Sequence, residues 1–251
     1  MSKKLPLTGL VVGEVPRLAL VCGDPQRAKQ IADRLTDVTL LTQQREYHAY
    51  CGTYQGIPVA VCSHGIGAPG AAIAFEELIA AGADYVIRVG TCGSLQTFIH
   101  TGHLVIATAA VQHTGYGLET APAGYPAVAD LDVTVALRAA AARVHCPSYT
   151  GIVISRDNFY AGIQTHYTPH YQTLSVANVL AVEMECAALF LVGNLRRIRT
   201  GAVLAVDGNV LGEGESMNTY DPRSQVLSAA VEAGIEVALT AVATLHAQFP
   251  M

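Results

Sequence analysis

In the run Tyr85-Val86-Ile87-Arg88-Val89-Gly90-Thr91-Cys92-Gly93-Ser94 a single charge, Arg88, stands among largely apolar residues. A buried strand of this kind carries its guanidinium inside, where it requires an anionic partner. If the run ends in a glycine-rich turn, Gly90, Thr91 and Gly93 let backbone N–H groups and a hydroxyl converge on a small oxyanion; an internal salt bridge to Asp or Glu is the alternative. The second anion-binding candidate is Gly23-Asp24-Pro25-Gln26-Arg27. Asp24 suits a helix N-cap, Pro25 the first helical position and Gly23 a close backbone approach, so a helix N-terminus and the Arg27 fork would face phosphate oxygens. The same residues also suit an ordinary capped junction with Arg27 in solvent.

Ala181-Val182-Glu183-Met184-Glu185-Cys186-Ala187 sets two carboxylates in an apolar stretch, and desolvated carboxylates require donors. Sugar hydroxyls supply them in one reading, an arginine in the other. Asp207 closes Val203-Leu204-Ala205-Val206 and begins Gly208-Asn209, a place suited to catalysis at the C-terminal edge of an open α/β sheet and equally to a turn-starting Asp. Ser63-His64-Gly65-Ile66-Gly67-Ala68-Pro69-Gly70 spells GxGxxG after a strand. The acid a dinucleotide site needs is misplaced, since Glu76 and Glu77 fall within the following helix and Asp84 precedes the next strand. The segment therefore reads as a glycine turn, with His64 a hydrogen-bonded core histidine rather than a base.

Strands are predicted at Leu18–Cys22, Tyr85–Val89, Leu104–Val111, Ile152–Ile154 and Ala202–Val206, with a hairpin of Glu46–Tyr54 and Ile57–His64 around Gln55-Gly56. Helices are predicted at Gln26–Leu35, Ala71–Ala81, Val133–Arg143, Glu185–Leu195 and Val226–Leu245. Strands alternating with helices argue for an α/β fold with a mixed, mainly parallel central sheet flanked by helices. No linker or internal repeat divides residues 1–251, so a single domain is expected, with surface loops at Gly115–Tyr125 and Gly208–Pro222. Long loops in compact domains are often functional lids.

The chain has 251 residues, of which 51% are hydrophobic and 14% charged, with a formal net charge of -5. That composition supports a sizeable core and lacks the basic surplus of a non-specific nucleic-acid binder. The six cysteines form no CxxC pair, so structural cysteines in a reducing cytoplasm are expected. MSKKLPLTGL holds no continuous apolar stretch of signal-peptide type, and Val226–Leu245, with Glu232 and Glu236, reads as a packed helix rather than a membrane span.

Taken in order, Gly23-Asp24-Pro25 with Arg27, Arg45-Glu46-Tyr47, Ser63-His64-Gly65-Ile66-Gly67, Arg88-Val89-Gly90-Thr91-Cys92-Gly93, Val182-Glu183-Met184-Glu185 and Val206-Asp207-Gly208 resemble the family of hexameric purine nucleoside phosphorylases and uridine phosphorylases, over nearly the whole chain. Leu195-Arg196-Arg197-Ile198-Arg199-Thr200-Gly201, leading into Val206-Asp207-Gly208, is similar to the protozoan-type purine enzymes. The resemblance implies phosphorolysis of a nucleoside to free base and ribose 1-phosphate, with inorganic phosphate as co-substrate and no metal or organic cofactor. It implies that Gly23, Arg27, Arg88 and Thr91 hold phosphate, with Arg45 reaching in from a neighbouring subunit of a homohexamer built from dimers. Met184 and Glu185 would hold ribose, Tyr160 would pack on the nucleoside, and Asp207 would protonate the departing purine. Two positions depart from the pattern. Leu7 stands where the family carries a histidine for a neighbour's ribose 5′-hydroxyl, and Gly162-Ile163-Gln164-Thr165-His166-Tyr167 offers the uracil-reading Gln164 but His166 in place of an arginine. Arg223 is a candidate partner for Asp207.

Overall fold

The computed structural model describes residues 3–160, 162–211 and 224–249. Strand β1 (Leu18–Cys22) is followed by α1 (Pro25–Ala32), β2 (Thr36–Gln44), β3 (Tyr47–Tyr54), β4 (Ile57–Ser63), α2 (Ala68–Ala81) and β5 (Tyr85–Ser94). Then come β6 (Leu104–His113), α3 (Gly115–Thr120), β7 (Ala127–Val128), α4 (Leu131–Ala141), β8 (Ser148–Arg156), α5 (Tyr171–Val176), β9 (Ala181–Glu183), α6 (Cys186–Arg196), β10 (Arg199–Asn209) and α7 (Gln225–Gln248). The strands form one mixed sheet, a finding that agrees with the expected α/β architecture.

Its centre is parallel. Strand β1 lies between β4 and β5, and β5 pairs with β10 on its other side, all in the same direction. Antiparallel pairings add β3 and β2 outside β4, and β6 beside β10. Because β6 runs parallel to β8, β8 parallel to β9, and β9 pairs antiparallel with the end of β5, this half of the sheet closes on itself. Alternation divides the core into two layers: Ala19 and Val21 face α2 and α6, while Leu18, Leu20 and Cys22 face α1, α4 and α7. Helix α7 is long and apolar enough to cross a bilayer by length and composition, yet half of its most apolar window is buried, and Ile235, Ala238 and Val242 pack within the second layer.

Three segments differ from the sequence reading or are not covered by it. Thr36–Gln44 is a strand that periodicity does not announce, because it is an edge strand with mostly exposed side chains held by its ladder to β3. Gly115–Thr120 is a short helix, not loop, because the Thr114 side chain accepts from the N–H of Gly117 and caps it. Gly90–Ser94 is not a turn: β5 continues through it because β10 pairs with it as far as Asn209 opposite Ser94. Gly208 and Asn209 belong to that strand, and the rest of the expected loop, with Gly212, Gly214, Asn218 and Arg223, lies outside the described residues. The hairpin turn Gln55-Gly56 has φ of 51° and 81°, the two positive values of a type I′ turn.

Candidate active site

The chain leaves β1, builds β4 on one side of it and then β5 on the other, so the C-terminal end of β1 is a topological switch point. There Asp24 caps α1, its Oδ1 accepting from Gln26 N at 2.8 Å, with Pro25 at the first turn. On the β1-facing edge of β5, pairing with β1 stops at Arg88 and pairing with β9 begins at Gly93, which leaves Val89–Cys92 without a strand on that edge. Arg27 reaches into this gap, where Nη1 donates to Val89 O at 3.5 Å. Burial pulls the Arg27 guanidinium below its usual range and Arg88 adds to this, while the carboxylates of Asp24 and Asp207 work the other way.

Arg88 is buried at the floor of the gap. Nη2 donates to Glu185 Oε2 at 2.5 Å, Nε faces Glu183 Oε2 at 3.4 Å, and Nη1 lies 3.1 Å from His64 Nε2. Gly90 makes this possible, since a Cβ there would stand 2.7 Å from the Arg88 guanidinium carbon. Burial opposes the charge on Arg88, but Glu185 and Glu183 outweigh it and raise the guanidinium further above its usual range.

The two carboxylates cap two helices. Glu183 accepts from the N–H of Glu185 at 2.8 Å and of Cys186 at 2.9 Å, and so anchors the start of α6. Ser155 Oγ donates to Glu183 and accepts from Ala187 N at 2.8 Å. Glu185 Oε1 accepts from Gly67 N at 2.5 Å, which places its charge at the N-terminus of α2, where Gly67 offers no side-chain cap. The arginine pairing weighed for the Glu-Met-Glu stretch and for Arg88 is thus what the structure contains. One guanidinium cannot neutralise two buried carboxylates fully; burial, with Glu183 adding to it, raises Glu185 although Arg88 works the other way. Each carboxylate oxygen keeps a second lone pair, so Glu185 can still accept from a hydroxyl.

Asp207 sits in a bulge. Val206 pairs with Cys92 and Gly208 with Gly93, leaving Asp207 as the extra residue between them. Bulges re-aim a side chain, and here the carboxylate acts on both Cys92 and Arg27 from a half-buried position. Asp207 therefore stands within β10 rather than after it, beside the open stretch of β5 that carries Thr91.

The structure thus brings together Gly23, Arg27, Arg88 and Thr91, the carboxylates Glu185 and Asp207, and half-buried Met184 beside Glu185. Tyr160 and Gln164 follow β8, whose Ser155 pairs with Glu183, and both are exposed, Tyr160 to 68%. Arg45 is not in this group. It takes the left-handed conformation (φ 55°) in the two-residue turn between β2 and β3, with its side chain exposed. Leu7 is also outside it, on a segment tied to α2 where Glu77 accepts from Leu7 N at 3.1 Å and Thr8 N at 2.7 Å. Clefts of about 420 Å³ between Arg34, His145 and Glu236 and of about 340 Å³ between Gln112, Leu118 and Pro122 contain none of these groups. His64 and Glu183 are more deeply engaged than their spacing suggested; the one available signal was that both lie close before a helix start.

Residues 17–243 match the model of the Phosphorylase superfamily. A uridine phosphorylase of Treponema pallidum is 43% identical over 80% of this chain and 81% of its own length, and a guanosine phosphorylase of Halorubrum lacusprofundi is 36% identical over 93% and 95%. Among solved structures, a purine nucleoside phosphorylase of Toxoplasma gondii in complex with immucillin-H superposes with a TM-score of 0.89 at 32% identity, covering 99% of this chain and 98% of that one.

Proposed function

This chain belongs to the Phosphorylase superfamily and is a nucleoside phosphorylase, a pentosyltransferase; from that premise we propose that it splits purine nucleosides with inorganic phosphate. The observation that carries the site is the convergence of Arg27 and Arg88 at the unpaired edge of β5, with Asp207 acting on Arg27 from the bulge of the neighbouring strand β10. Phosphate sits against the N-terminus of α1 at Gly23, held by Arg27, Arg88 and the Thr91 hydroxyl. Glu185 accepts from ribose hydroxyls with Met184 beneath the sugar, Tyr160 packs on the nucleoside, and Gln164 lies at the base. As the C1′–N9 bond breaks, its electron pair passes to the purine, Asp207 gives its proton to N7, and a phosphate oxygen closes on C1′.

Charge supports an oligomer. Arg27 and Arg88 face Glu183, Glu185 and Asp207, so an entering phosphate needs another cation, which Arg45 of a neighbouring copy supplies in a homohexamer built from dimers. Phosphate is the co-substrate and no cofactor takes part. The free cysteines, four of them buried, suit nucleoside salvage in a reducing cytoplasm.

Uridine phosphorolysis is the second reading, favoured by Gln164 and by the relative of that name. Assays of inosine, guanosine, adenosine and uridine, each with and without phosphate, separate the readings. Phosphate-dependent release is expected, fastest from inosine or guanosine; release that ignores phosphate would make the protein a hydrolase, and a preference for uridine would reverse the base assignment.

A further inference from the structure

His64 has no part in the chemistry above, yet its ring is buried against the residue on which phosphate binding depends. It stands where β4 ends, with Nδ1 2.9 Å from Gly65 O and Nε2 3.1 Å from Arg88 Nη1. Phe75 packs against it in a T-shaped pair with ring centroids 5.4 Å apart. Gly65 N donates to Gly23 O at 3.0 Å, so the turn that holds the histidine is bonded to the turn that opens α1. The donor pattern follows from these contacts: Arg88 can only donate, so Nε2 is the acceptor and Nδ1–H donates to Gly65 O. Burial, reinforced by Arg88, pushes imidazole protonation well below its ordinary range, in keeping with that tautomer.

Each terminal nitrogen of a guanidinium carries two N–H groups. His64 takes one on Nη1 and Glu185 one on Nη2, so among the described residues each terminal nitrogen keeps one N–H without an oxygen or nitrogen acceptor, with only the weakly accepting Cys186 thiol as a further partner of the guanidinium. That is the pair a two-point grip on an oxyanion requires. We propose that His64 is a positioning residue for phosphate, fixing the plane of Arg88 so that these two N–H groups meet phosphate oxygens together. A carboxylate at position 64 would add a third anion beside Arg88, and an apolar side chain would leave Nη1 free to turn toward Glu183 and Glu185. A neutral acceptor holds the guanidinium without cancelling its charge. The inference rests on the phosphorolysis reading.

The test compares His64→Gln with His64→Asn, which are alike in chemistry but differ in reach. The Gln amide oxygen extends to about the position of Nε2, whereas Asn ends near Nδ1 and can serve only Gly65. In His64→Asn the phosphate KM should rise about tenfold or more, the loss expected for one hydrogen bond to a charged group. Its nucleoside KM should hardly move, and His64→Gln should stay within about threefold of the parent on both. Phosphate titration calorimetry without nucleoside should show the same order. Equal phosphate KM in both variants and the parent, or an Asn variant that raises both KM values alike, would overturn the positioning role while leaving phosphorolysis intact. A parent protein that releases base without phosphate would remove both readings.

Discussion

The floor of the site and its rim are built differently. On the floor, Arg88, Glu183, Glu185 and His64 come from β5, β9, the start of α6 and the end of β4, and each touches at least two other side chains or backbone groups, Arg88 and Phe75 in the case of His64. On the rim, Phe159 and Tyr160 meet edge to face with ring centroids 5.3 Å apart, Thr165 bonds to Thr168, and Ile163 is 91% exposed. A described tie from the rim to the sheet runs from Tyr167 O to His113. In the proposed function, phosphate and the ribose common to every nucleoside would meet the cross-linked floor, while the base, which varies, would meet a segment with mostly local contacts. Base preference can therefore change without cost to the core, whereas a change in the floor is felt by the whole fold.

The largest contrast should come from Arg88→Met against Tyr160→Ala. Removing Arg88 leaves Glu183 and Glu185 buried without a cation, and breaking such a buried group costs about 3–5 kcal/mol. Tyr160→Ala, at a mostly exposed position, should stay within about 0.5 kcal/mol while nucleoside KM rises. Urea denaturation of both variants beside steady-state kinetics checks this. Equal loss of stability in the two would mean that the rim is as deeply anchored as the floor.

Asp207, half-buried in the β10 bulge, belongs to neither region, and its substitution should have the next largest effect. Asp207→Asn keeps shape and hydrogen bonding but has no proton to give, so inosine phosphorolysis should fall about 10²-fold or more while binding changes less. A 7-alkylated purine nucleoside, already cationic, needs no acid and should be largely spared. If both substrates lose rate equally, Asp207 positions the base, and the rim rather than the chemistry accounts for the loss.

How far these regions were legible in the sequence follows from the same contrast. Apolar runs marked β1, β4, β6 and β10 because strands covered on both faces must be apolar. Strand β2 escaped because an edge strand with exposed side chains has no such signature, and β9 because three residues are too few to show a period. Arg88 and Asp207 stood out as charges within or at the end of apolar runs, but their partners did not. That Glu183 caps α6 while Glu185 caps α2 depends on β9 lying antiparallel to the end of β5, a long-range pairing that no local pattern encodes. The bulge that turns Asp207 was hidden for the same reason: it exists only in register with Cys92 and Gly93.

The smallest expected effect concerns Leu7, whose backbone is fixed like the floor while its side chain is exposed like the rim. Glu77 holds the N–H of Leu7 and Thr8, and Thr42 Oγ1 donates to Thr8 O at 2.7 Å, so position 7 is set relative to β2 and its turn at Arg45. Leu7 and Arg45 thus belong to one exposed edge, and in the proposed assembly both enter a neighbour's site. An apolar side chain offers the ribose 5′-hydroxyl no hydrogen bond, and a pocket that makes none scarcely notices when the hydroxyl is absent. Inosine and its 5′-deoxy analogue should therefore be processed with specificity constants (kcat/KM) within about tenfold of each other. Leu7→His should widen the gap by favouring inosine, because a donor desolvated for a hydroxyl is left unpaired by the deoxy sugar. The substitution replaces an exposed side chain on a backbone already held by Glu77, so stability should be unchanged within about 0.5 kcal/mol. A large preference for inosine in the parent protein would show that another group reads the 5′ end, and a Leu7→His variant with the parent's ratio would place residue 7 outside every site in the assembly.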